Sequence, residues 1–155
     1  MSDRVRARLQ HVLFFPFAPD DVEWTGEFRT WEPIDPTMFG AQVQLLVGPP
    51  NDAADAFDVF VCSPSWLCMH GRRLEGFTHP LLGGVLPGRQ FWFMERWDPV
   101  SLDRAIDNVL DITAAGDWAE TANRIGRYVE WEYDYRYDNA QDEARGLSPM
   151  EWPDD

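Results

Sequence analysis

GDWAETANRIGRYVEWEY, residues 116–133, is the stretch on which the fold turns. Gly116 can close one helix in a left-handed conformation, and Asp117 can cap the next, with Glu120 three residues on as in a capping box. Trp118, Ala122, Ile125 and Val129 recur at helical spacing and form one narrow apolar stripe. Glu120 and Arg124 stand four residues apart on the opposite, solvated side. The pattern fails at its end. Trp131 falls outside the stripe, and Glu132 falls almost on it, where a carboxylate does not belong. Either the helix stops near Val129, or Glu132 is partly buried and held by an arginine or by backbone N–H groups, with Trp131 packed on a sheet or its edge.

Working back along the chain, Asp98-Pro99 opens a second helix running to about Ala115, with Leu102, Ile106, Val109 and Leu110 as its apolar stripe. Its polar side carries Asp103, Asp107 and Asp111 at i, i+4 and i+8. Like charges at that spacing destabilise a helix by a few tenths of a kcal/mol per pair, and Arg104 relieves this only in part. The plain reading is a solvated face. The functional reading is a negative patch that meets a basic partner, with Asp103, Asp107 and Asp111 as the candidate contact residues.

The segments before these helices read as strands. In residues 5–15 a clean alternation puts Val5, Ala7, Leu9, His11 and Leu13 on one face and Arg4, Arg6, Arg8 and Gln10 on the other. Residues 24–31 suggest a further short strand. Residues 40–47 place Ala41, Val43, Leu45 and Val47 inward. After the turn Pro49-Pro50-Asn51-Asp52, residues 56–62 place Phe57, Val59 and Val61 inward, so the two form a hairpin. Ser63 with Pro64 starts a short helix that Gly71 ends. Residues 71–88 are rich in Gly and Pro and read as a loop. Residues 89–97 are apolar on both faces, Phe91 and Phe93 against Trp92 and Met94, which suggests a central strand. Strands first and paired helices last predict an α+β fold, an antiparallel sheet of four to five strands packed on two C-terminal helices. Residues 1–138 form one domain on this reading, and residues 139–155 an acidic, flexible tail.

Hydrophobic residues make up 45% of the 155, enough for a substantial core, so wholesale disorder is excluded. The formal net charge is -14, and all 13 basic residues are arginine. Such a chain is repelled by nucleic acid and by anionic membranes and attracted to basic surfaces. No signal-peptide pattern and no membrane-length apolar run is present, so a cytoplasmic protein with Cys62 and Cys68 as free thiols is expected.

Motifs for chemistry are weak. Cys62, Cys68, His70 and His79 follow no common zinc spacing, and Cys68 with His70 makes a poor nucleophile pair because the two are sequence neighbours. Gly83-Gly84 and Gly88 lack the lysine and the strand-to-helix switch of a phosphate loop. No catalytic residues, metal or cofactor are assigned. The 8 tryptophans fall mostly on strand or helix stripes and so belong to a core, with Trp24, Trp31 and Trp152 as exceptions.

FGAQVQLLVGP (39–49), DAFDVFVCSPSWL (55–67), RQFWFMERWD (89–98) and the pair Trp131-Glu132, taken in that order, resemble the immunity protein 8 family of bacterial polymorphic toxin systems. The resemblance runs from about Met38 to Tyr135; residues 22–31 and the tail fall outside it, and residues 71–88 depart from it. It implies a small cytoplasmic protein, not an enzyme, that binds and neutralises a cognate toxin as a stoichiometric complex. A toxin with a basic surface, such as a nuclease, suits the acidic charge. The alternative is a small ligand-binding domain or enzyme using a Trp-rich surface and the 71–88 loop; a structural adaptor without a toxin partner is a third.

Overall fold

The computed structural model describes residues 4–17, 26–50, 52–74, 90–131, 144 and 146. Among the described residues five strands and three helices follow in the order β1 (Arg8–Pro16), β2 (Gly40–Gly48), β3 (Asp55–Cys62), α1 (Pro64–His70), β4 (Phe91–Phe93), α2 (Pro99–Ile112), α3 (Trp118–Ile125) and β5 (Glu130–Trp131). Short 3-10 turns occupy Phe28–Thr30 and Gly71–Leu74. This is the α+β arrangement expected, with α2 and α3 as the C-terminal pair. The domain boundary predicted at residue 138 lies outside the described residues.

β1, β2 and β3 form an antiparallel meander, and β4 and β5 share the remaining edge of β3 end to end. β5 runs antiparallel to β3, whereas β4 is parallel to it, so the predominantly antiparallel sheet has one parallel pairing. The inner face buries Ala41, Val43, Leu45 and Val47 of β2 with Phe57, Val59 and Val61 of β3 against Leu102, Ile106 and Leu110 of α2 and Ala122 and Ile125 of α3. A second, smaller cluster on the outer face joins Phe60 and Cys62 of β3 to Trp66 of α1 and to Leu74. Phe17, Phe60, Trp66 and Phe91 interlock there at centroid distances of 5.2–5.8 Å. Trp66 lies so close over Gly40 that a Cβ there would stand 2.6 Å from its ring. Ser63 caps α1 by accepting from the Trp66 N–H, with Pro64 at the first helical position.

Several expectations are corrected. A register shift between Leu9 and His11 breaks the alternation of β1, so Val12 and Phe14 turn to the core while His11 is exposed. One extra residue exchanges the two faces of everything after it. Among the described residues β4 is a three-residue strand at the edge of the sheet, not a central one. It is apolar on both faces because Trp92 and Met94 meet the inner core while Phe91 meets the outer cluster. The proposed strand over residues 24–31 is a 3-10 turn at Phe28–Thr30, with residues 24 and 25 outside the described residues. Gly71 ends α1 as its C-cap, as expected, and the chain then winds on as a 3-10 turn.

Gly116 is not left-handed; among the described residues a positive φ occurs only at Gln90 and Gly146. α2 ends instead at Ile112, with the Thr113 hydroxyl donating to the Val109 carbonyl at 2.6 Å. Ala115 then bridges to Val5, and buried Thr121 donates to the Val5 carbonyl at 2.9 Å while accepting from the Ala115 N–H at 3.0 Å. Thr121 thus ties the chain's beginning to the connection between α2 and α3. Asp117 caps α3 through the Glu120 N–H, but the Glu120 carboxylate pairs with Arg124 at 3.1 Å rather than completing a capping box.

Candidate functional site

The fate of residues 126–131 explains the broken stripe. α3 stops at Ile125 with Gly126 as its cap, a turn follows, and Glu130–Trp131 joins the sheet. Trp131 is therefore a strand residue in register with Phe57, stacked on its ring at 6.3 Å and 12°, and its indole N–H donates to Asp55 Oδ2 at 3.2 Å. Glu132 lies outside the described residues.

Asp107 and Asp111 of the α2 carboxylate stripe are exposed and Asp103 is half-buried, but the stripe is not bare. Arg6 forks across two of its members, donating from Nε to Asp111 at 2.6 Å and from Nη2 to Asp107 at 3.0 Å. Arg29 grips Asp103 with two parallel bonds of 2.9 and 2.8 Å, the bidentate geometry in which arginine and carboxylate match best. The Arg6 guanidinium is held above its ordinary pKa first by the bond to Asp111, with burial opposing and Asp107 adding. Both arginines come from segments remote in sequence, so periodicity within α2 could not reveal them. The clue was the row Arg4, Arg6, Arg8, read as the outer face of a half-buried strand. The stripe's self-repulsion is thereby offset, and α2 is stapled to the N-terminal strand and to the 3-10 turn. Asp107 and Asp111 remain 73% and 58% exposed and share one guanidinium, which leaves a residual negative charge.

The residues weighed for enzyme chemistry do not assemble. Cys62 is buried, and burial pushes its thiol up to about 12, the opposite of what a nucleophile needs. Cys68 is exposed on α1, and His70 packs on the Trp66 ring at 5.8 Å. His79 lies outside the described residues, and among the described residues no three His, Cys, Asp or Glu side chains are grouped to hold a metal ion. The indole N–H groups of Trp92 and Trp97 donate to the Tyr128 and Trp31 carbonyls. Trp31, set apart earlier from the core tryptophans, packs edge-on against Trp97 at 5.1 Å. Indoles used this way are packing, not a stacking platform. Trp24 and Trp152 lie outside the described residues.

The outer face of the sheet is different. Register places Phe15, Gln42, Phe60 and Phe91 in one row and Leu13, Gln44, Asp58 and Glu130 in the next. α1 covers one end, yet Phe15 and Phe93 stay 50% and 55% exposed. Between the rows lies a cleft of about 20 Å³ bordered by Gln42, Asp58, Phe60, Phe91 and Glu130. That is room for about one water-sized group, not for a metabolite. A wider open notch of about 580 Å³ at the β1 bulge is lined by Arg8, Leu9, Gln10, Asp52 and Ala53 and has no aromatic wall.

Among the described residues no helix is long and apolar enough to cross a membrane. No curated protein and no solved structure matches the chain. The sequence model of one family, described as Immunity protein 8, matches residues 20–135 and so takes in the 22–31 segment that the resemblance had left out. On that match, over most of its length, the chain belongs to the Immunity protein 8 family, whose name marks it as an immunity protein for a bacterial toxin.

Proposed function

We propose that this immunity protein neutralises its cognate toxin in the cytoplasm by forming a stoichiometric, non-catalytic complex, and that the toxin presents a basic surface, as nucleases do. Family membership carries the reading. The formal net charge of -14 supports the choice of partner, because an acidic inhibitor is drawn to a basic cleft and associates fast. The packed tryptophans weigh against the ligand-binding alternative. Residues 1–138 would form the binding domain and residues 139–155 an acidic tail.

In this reading Asp103, Asp107 and Asp111 act through the long-range field more than through a tight contact, since Arg6 and Arg29 already occupy them. Co-expression with the product of the adjacent toxin gene, followed by co-purification, tests the complex; a toxin that stays active and unbound in the presence of this protein sinks the proposal. Changing all three aspartates to Asn should slow association at low ionic strength and leave dissociation nearly unchanged. Elemental analysis should find no stoichiometric metal in the purified protein.

A further inference from the structure

We draw no further inference here: the strongest candidate, the outer face of the sheet with half-exposed Phe15 on β1 and Phe93 on β4, carries none because nothing in the structure shows what covers it.

Discussion

Trp131 closes the sheet, and its substitution gives a quantitative check of how the chain ends α3 and returns to β3. The ring is buried at 8% exposure, stacks on Phe57, and donates to Asp55 Oδ2 at 3.2 Å. Truncating a buried aromatic to Ala costs about 3–5 kcal/mol. For a chain of this size each kcal/mol lowers the melting temperature by roughly 2–4 °C, so Trp131→Ala should melt roughly 6–20 °C early. That cost is comparable with the whole stability of many domains of this kind, about 5–15 kcal/mol, so a gentler variant is needed as well. Trp131→Phe keeps a ring against Phe57 and removes the N–H. It forfeits a hydrogen bond to a carboxylate, about 1.5–3 kcal/mol. Asp55→Asn keeps an acceptor and should cost less. Because the two side chains act on each other, the double variant should lose less than the two singles combined. Thermal unfolding followed by circular dichroism reads all four. A Trp131→Ala protein melting within about 2 °C of wild type would refute the placement of β5 on the sheet.

Three further outcomes follow from side chains with defined surroundings. Gly40→Ala puts a Cβ 2.6 Å from the Trp66 ring, so Trp66 must move; stability should fall by about 1–3 kcal/mol with a shift in tryptophan emission, and an unchanged melting curve and spectrum would contradict the close approach. Native protein at pH 8 should release one thiol to a disulfide reagent, that of exposed Cys68, and two after denaturation, because burial keeps Cys62 protonated and shielded. Asp98, the cap of α2, has its carboxyl held below the ordinary value by the Ser101 hydroxyl and the backbone N–H groups of Val100 and Ser101, and Asp35 is lowered in the same sense by Thr37. A folded pKa below the unfolded one means stabilisation that is present above pH about 3.9 and lost as pH falls through the folded value. The urea midpoint should therefore drop on acidification below that pH, and Asp98→Asn should flatten the drop; an equally steep acid limb in the variant would remove Asp98 from the account.

The elements legible in the sequence were those whose pattern is set by one neighbour layer. Residues 40–47 and 56–62 alternate because one of their faces meets α2 and α3, and their inward residues follow directly from that alternation. Ser63, Asp98 and Asp117 announced their caps because an N-cap needs only a side-chain oxygen and the next turn. What was not legible depended on a third party. The bulge after Leu9 leaves no trace in composition, yet it decides which face His11 and Phe14 take. Phe91 and Trp92 are both apolar because two separate clusters claim them, so a two-residue period could not distinguish an edge from a centre. The Trp-Glu mismatch after Val129 did signal that the helix ends, but nothing local names β3 as the strand that receives Trp131.

The candidate site shows the same limit in electrostatic form. Along α2 alone, Asp103, Asp107 and Asp111 are repulsive neighbours, and repulsion tolerated in a helix invites a functional explanation. The energy that matters, however, is that of the whole local set of charges. Arg6 and Arg29 convert the repulsive row into ion pairs, each worth about 0.2–1 kcal/mol when exposed, which offsets the few tenths lost between like charges. The stripe is then explained by folding, and the motive for making it the grip is gone. The outer sheet face lacks that explanation. Phe15 and Phe93 leave apolar surface in water there, as Ile34, Val100 and Ile112 do elsewhere on the described surface. Features that folding explains need no partner. Exposed apolar side chains stand both on this face and away from it, so exposure alone does not name the seat of the partner.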